Sequence, residues 1–304
     1  MDRLQTLLKQ RNILLVRDCP IARYSTFRIG GTARLAVFPK SREQLTETLL
    51  SVGESGARYA VVGRGSNLLF PDEFDGVLIF TASANDVTEE GNCLEASAGA
   101  SLSAIAARAR NLSLGGMEFA AGIPGTLGGA VCMNAGAFRS CMAQVVRWVD
   151  CWNMDTMRVE HFGEGQHGFD YRSSVYGSSK NLTVLAAGLA LFPRVQAEID
   201  ALMEDYRRRR KASQPLEYPN AGSIFKNPEG DAAGRLIEAC GLKGMRVGGA
   251  CVSEKHANFI VNTGGASRRD VLELIDLIRA RVSAQTGVAL VCELQDLEDI
   301  VRTR

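Results

Sequence analysis

Two glycine-rich segments are the first places in this sequence where chemistry could be done. The first, Val61-Val62-Gly63-Arg64-Gly65-Ser66-Asn67-Leu68-Leu69, is an apolar run that enters a Gly-x-Gly-Ser-Asn turn. Glycine at alternate positions lets the backbone approach an anion, and the turn N–H groups and the Ser66 hydroxyl can donate to phosphate oxygens. A third glycine is missing and no long helix is expected to follow, so this is not a dinucleotide fingerprint of the Rossmann kind. A plain tight turn, with Asn67 and glycine at positive φ, is the alternative. The second segment is Gly122-Ile123-Pro124-Gly125-Thr126-Leu127-Gly128-Gly129-Ala130, followed by Asn134-Ala135-Gly136. It is more apolar than a surface loop and patterned as neither strand nor amphipathic helix, which suits a chain lying against a flat cofactor.

Other chemistries are disfavoured. The 8 cysteines are scattered without a Cys-x-x-Cys pair, and the 3 histidines (His161, His167, His256) form no ligand-spaced cluster with them, so reduced cysteines and no metal are expected. Lys plus Arg number 35 and Asp plus Glu 34, for a net charge of +1, which leaves no basic footprint for nucleic acid. The basic run Arg207–Lys211 reads as a solvated helix end. No apolar run approaches the roughly 18 residues of a membrane span, and Asp2, Arg3 and Lys9 interrupt any secretory core near Met1. A cytoplasmic protein with neither membrane nor nucleic-acid partner is expected.

The elements that must position these loops are short strands joined by glycine turns, with fewer helices. Tyr59–Val62, Val77–Phe80 and Leu182–Leu191 are strand-like apolar runs. Helical spacing groups Leu45, Leu49 and Leu50. It recurs in Leu102, Ile105, Ala106 and Ala109 behind a Ser101 N-cap, and in Ile199, Leu202, Met203 and Tyr206. Val271, Leu274, Ile275, Ile278 and Val282 repeat it behind Ser267 and Asp270. The fold class is α+β without a repeated βαβ period. Pro215, Pro219 and Gly222 break both helix and strand, predicting a domain boundary there, and the polar stretch 81–90 predicts a weaker one. The units are 1–84, 85–213 and 214–304.

Beyond the two loops, Tyr24-Ser25-Thr26-Phe27-Arg28-Ile29-Gly30-Gly31, Glu118 to Thr126 and Phe169-Asp170-Tyr171-Arg172-Ser173-Ser174 are distinctive. So are Asn220-Ala221-Gly222-Ser223-Ile224-Phe225-Lys226-Asn227-Pro228, Leu236 to Gly249 and Ser253 to Ile260. In this order and over nearly the whole chain they resemble the UDP-N-acetylenolpyruvoylglucosamine reductase (MurB) family. The resemblance implies a two-part FAD-binding unit of the vanillyl-alcohol-oxidase (PCMH) type and a C-terminal α/β substrate-binding domain. It implies non-covalent FAD, NADPH as hydride donor, a UDP-sugar substrate, and a monomer acting in peptidoglycan precursor synthesis. The short link between Arg172 and Ser223 points to the shorter subtype, which lacks a tyrosine-bearing insertion. No His or Cys lies between Val61 and Phe70 to tether a flavin.

The resemblance also implies site residues. The flavin would be held by Gly63, Arg64, Gly65, Ser66 and Asn67, and by Gly122, Ile123, Pro124, Gly125, Thr126, Gly128, Gly129 and Ala130. Arg172 would hold carboxylate charge as a permanently cationic fork. Ser223 would be the proton donor; it has no neighbouring His to make it a hydrolase nucleophile. Glu293 would be the late acid that stabilises the enolate, needing burial to raise its pKa. Here the chain reads Cys292-Glu293-Leu294-Gln295-Asp296 where a Pro-Glu-Val-Arg ending is expected, so Asp296 and Glu298 remain competitors. Lys226 and Asn227 would touch substrate; whether Lys255-His256-Ala257-Asn258 does is open.

Overall fold

The structure is a computed structural model describing residues 1–302. Among them no helix is long and apolar enough to cross a membrane. Strands Leu14–Pro20, Thr32–Phe38, Glu73–Phe80 and Tyr59–Val62 form a four-stranded sheet in that order, its last three strands parallel. The helix Arg42–Ser55 makes the crossover these parallel strands require. Ser41 caps its start by accepting from Gln44 N, and Gly56, at φ 64°, ends it. Leu45 and Leu49 are buried beneath it, whereas Leu50 is only partly covered.

A five-stranded antiparallel sheet follows, ordered Arg158–Phe162, Val146–Asn153, Leu182–Ala190, Cys93–Ser97 and Val87–Glu90. Its middle strand is buried almost throughout, as its unbroken apolar run requires. The helix Leu102–Asn111 has the Ser101 cap, its hydroxyl accepting from Ala104 N. A correction falls on the second glycine-rich segment. Leu127–Cys132 is a short helix packed on the Leu182–Ala190 strand, with Leu127, Ala130 and Val131 buried. Burial of these three side chains overrides the low helix propensity of Gly128 and Gly129.

The last sheet, Asn220–Ser223, Phe259–Asn262, Ala250–Val252 and Arg246–Val247, is antiparallel and covered by helices Ala233–Ala239 and Arg268–Thr286. Ser267 and Asp270 form a reciprocal capping box on the longer helix. One apolar cluster joins the first two sheets, and another fills the third sheet and takes in Phe27, Ile29 and Leu69. Polar ties cross between them: Thr26 Oγ1 donates to Asn220 O at 2.7 Å, and Asn262 Nδ2 to Phe27 O at 3.2 Å. The chain then returns to the first sheet, with Gln295–Asp296 parallel to Leu68–Leu69 and Arg302 bridged to Tyr59.

Candidate active site

The two glycine-rich segments face each other across a cavity of about 440 Å³. A Cβ on Gly63 would lie 2.3 Å from Thr126 Oγ1, so only glycine lets the segments approach this closely. Gly65 has φ +58°, and a Cβ there would meet Tyr24 O at 2.5 Å. The turn is backed by Ser25, whose hydroxyl donates to Gly65 O at 3.3 Å. Thr126 is 2% exposed and its hydroxyl has no hydrogen-bond partner. A buried hydroxyl without a partner, beside a glycine position that admits no side chain, fits a polar ligand lying flat in the cleft.

All of Gly63, Arg64, Gly65, Ser66 and Asn67 line this cavity, as do Ile123, Gly125, Thr126, Gly128, Gly129 and Ala130. Gly122 and Pro124 lie off it. The Leu127 and Gly128 amides are committed to Ala100 O and Ala98 O, so they hold the segment rather than a ligand. Gly122 instead carries the Arg210 side chain, whose Nε would sit 2.9 Å from a Cβ there. This corrects the reading of Arg207–Lys211 as a uniformly solvated helix end. Arg207, Arg208 and Arg209 are exposed and paired with Glu204 and Asp205, while Arg210 is half-buried.

Arg172 stands on a tight hairpin in which Asp170 and Ser173 exchange both backbone hydrogen bonds at 3.1 Å. Its own φ is 53°, a left-handed conformation that costs a non-glycine residue energy and is held here by its surroundings. Asn134, 7% exposed, supplies much of that hold: Nδ2 donates to Asp170 O at 3.0 Å and Oδ1 accepts from Ala143 N at 2.9 Å. Ser174 Oγ adds a 2.6 Å bond to Cys132 O. Arg172 Nη1 donates to Gly136 O at 3.2 Å, and Nε lies 2.7 Å from Glu293 Oε1. The Nε–H is not aimed at that oxygen and has no hydrogen-bond partner, so the two groups are close without an aligned hydrogen bond.

Glu293 is delivered by a bridge between Phe225 and Cys292, with Glu293 N donating to Ile224 O at 2.8 Å. Asn67 Nδ2 donates to Glu293 O at 2.9 Å, tying this acid to the phosphate-type turn. Burial pushes the Glu293 carboxyl up; the Arg172 and Lys226 charges pull against that rise without cancelling it. The competitors are committed elsewhere: Asp296 pairs with Arg268 and Glu298 with Arg58. Ser223 ends its strand behind Gly222 at φ +78°, one residue from the Ile224 carbonyl that receives Glu293 N. Its hydroxyl makes no hydrogen bond among the described residues, and Ser223 and Asn227 stand outside the cavity wall, whereas Lys226 is part of it. Asn227 Oδ1 accepts from Ala233 N, leaving only its amide hydrogens for a ligand. His256 packs edge-on against Phe259 and Lys255 Nζ donates to Lys211 O; neither residue lines the cavity.

Residues 33–160 match the FAD binding domain family, and residues 214–297 match the UDP-N-acetylenolpyruvoylglucosamine reductase C-terminal domain. The UDP-N-acetylenolpyruvoylglucosamine reductase of Caldicellulosiruptor bescii is 42% identical over 95% of this chain and 92% of its own. That of Moorella thermoacetica is 44% identical over 96% and 95%. The chain belongs to the UDP-N-acetylenolpyruvoylglucosamine reductase family. The crystal structure of the family member from Thermus caldophilus superposes with a TM-score of 0.78 at 33% identity, over 93% of this chain and 98% of that one. The α+β fold is thus the family's two-part FAD-binding unit with its C-terminal domain, and FAD is the ligand that the glycine-walled cavity fits. Sequence reasoning missed several polar residues of this reductase cavity, among them Tyr176, Lys180, Thr183, Gln295, Asp299 and Arg302. None sits in a glycine-rich motif, and only their convergence in space marks them.

Proposed function

We propose that this protein reduces UDP-N-acetylglucosamine enolpyruvate to UDP-N-acetylmuramate in peptidoglycan precursor synthesis, with NADPH as reductant and FAD bound non-covalently. The observation that carries this reading is the meeting of Arg172, Glu293 and Lys226 beside the Gly63–Asn67 turn. When bound, FAD supplies the hydride, taken from NADPH, that adds to the β-carbon of the enol ether. Arg172 takes the substrate carboxylate on its guanidinium fork, polarising the double bond and holding the charge that develops next to the α-carbon. Glu293, kept protonated by burial, donates a hydrogen bond to the enolate oxygen. Ser223 gives its proton to the α-carbon; a neutral hydroxyl suffices because the enolate is far more basic. One hydride and one proton saturate the carbon–carbon bond, and solvent returns the proton to Ser223. Lys226 and the Asn227 amide hydrogens take the diphosphate. Residues 1–84, 85–213 and 214–304, each with its own sheet, act as the two flavin-holding units and the substrate unit. The protein acts as a cytoplasmic monomer on small molecules.

The test is NADPH consumption by the purified, flavin-loaded protein with and without UDP-N-acetylglucosamine enolpyruvate. Consumption that depends on this substrate is expected, and its absence would overturn the substrate assignment. Denaturation should release the yellow chromophore; colour that stays with the chain would reject non-covalent binding.

A further inference from the structure

The chain beyond the family-matched residues returns to the cavity. After Gln295–Asp296 it makes a single turn, Leu297–Ile300, and reaches Tyr59. There Tyr59 N donates to Arg302 O at 2.9 Å and Arg302 N to Tyr59 O at 2.8 Å. The match to the family's C-terminal domain stops at 297, so Arg302 lies past it. Leu297, 0% exposed, anchors the turn in the apolar cluster of the first sheet, and the Arg268–Asp296 and Arg58–Glu298 ion pairs brace it.

Asp299, Ile300 and Arg302 line the same cavity as the Gly63–Asn67 turn. Arg302 Nη1 donates to Thr183 Oγ1 at 2.5 Å, and among the described residues no carboxylate pairs with this guanidinium. The Tyr59 hydroxyl beside it is buried off the cavity wall, against the Arg302 guanidinium. A guanidinium without a counter-ion on the wall of a cavity matches a polar occupant. The position says which part of the occupant. Arg172 and Lys226 line the cavity with the Gly63–Asn67 turn, and Glu293 contacts Arg172 and Asn67 there, so the reacting ring belongs at that end. Tyr59 begins the strand that ends at Val62 just before Gly63, and so stands roughly 13 Å back from it at about 3.3 Å per residue. We infer that the segment Leu297–Arg302 is a strap across the far end of the cavity, and that Arg302 is a ligand for the adenosine half of the flavin dinucleotide. A guanidinium can stack on the purine face while donating to ring nitrogens or ribose oxygens.

The inference rests on FAD filling this cavity, and a comparison of two flavins separates the claims. Apo protein is titrated with FAD and with FMN, which lacks adenosine, following quenching of flavin fluorescence. Arg302→Gln is expected to raise the FAD dissociation constant about tenfold and leave that for FMN unchanged, with Arg302→Lys recovering part of the loss. Circular dichroism of each apo variant shows whether it folds, and Arg302→Lys carries the comparison if Arg302→Gln does not. Unchanged FAD binding, or equal weakening of both flavins, would overturn the assignment. Failure of the wild type to take up either flavin would overturn the FAD reading and this inference with it.

Discussion

A carboxyl group that must stay protonated near neutral pH needs burial and neighbours that do not fully compensate it. Glu293 meets both conditions, since its burial outweighs the Arg172 and Lys226 charges. The sequence left Asp296 and Glu298 as rivals, because spacing alone does not say which of three acids turns inward. Asp296 pairs with Arg268 and Glu298 with Arg58, whereas Glu293 is the acid beside Arg172. The Tyr171-Arg172-Ser173-Ser174 block pointed to Arg172 as a candidate, but gave no sign of its left-handed φ of 53°. That conformation is imposed by partners distant in sequence. Glu293→Gln is expected to lower turnover roughly 10²–10⁴-fold while NADPH still bleaches the flavin in a single-turnover experiment. Near-normal turnover would reject the acid role. The pH dependence has a definite sign. In the proposed role the working form is the protonated acid, so the substrate-reducing half-reaction is expected to slow as pH rises through the raised Glu293 pKa. The glutamine variant, with nothing to titrate there, stays flat over that window.

The elements that carry these residues divide into those with local determinants and those without. The start and the buried face of Arg268–Thr286 were readable, because its apolar period and its Ser267 and Asp270 cap lie within one stretch, and Gly287 ends it in the left-handed conformation. Leu127–Cys132 was not readable as a helix, because what makes it helical is the strand beneath it and the close fit of Gly128 on Ala98. The Asp170–Ser173 hairpin belongs to the second kind as well: Asn134 and Cys132, far back in the chain, fix it. Asn134→Ala removes both bonds to Asp170 O and Ala143 N, leaving buried groups unpaired at a cost of about 1–3 kcal/mol. The expected signature is a lower denaturation midpoint together with a slower substrate half-reaction, because Arg172 loses its mount. Reduction of flavin by NADPH should slow much less. Equal slowing of both half-reactions would show that Asn134 supports the fold generally rather than the Arg172 hairpin.

At the scale of the molecule, the cavity is walled by every major sheet or its connections: Val61 from the first, Val184 from the second, and Lys226 beside the third. The first two share one apolar cluster, so they should unfold together. The third has its own cluster and is joined to the first through Phe27, Ile29 and Leu69 and the ties Thr26–Asn220, Phe27–Asn262 and Asn67–Glu293. An occupant that touches all three walls therefore acts as a further tie. A ligand at a hundred times its dissociation constant stabilises the state that binds it by about 2.7 kcal/mol. At about 2–4 °C per kcal/mol for a chain approaching this size, saturating FAD should raise the melting temperature of stripped protein by roughly 5–10 °C. Because its contacts span the walls, the rise should appear in a single transition followed both by near-ultraviolet dichroism and by tryptophan fluorescence. Both tryptophans, Trp148 and Trp152, sit in the second sheet, so their fluorescence reports that sheet alone. A shift seen by dichroism and absent from fluorescence would mean that FAD braces only part of the molecule, and would contradict a cavity closed by all three sheets.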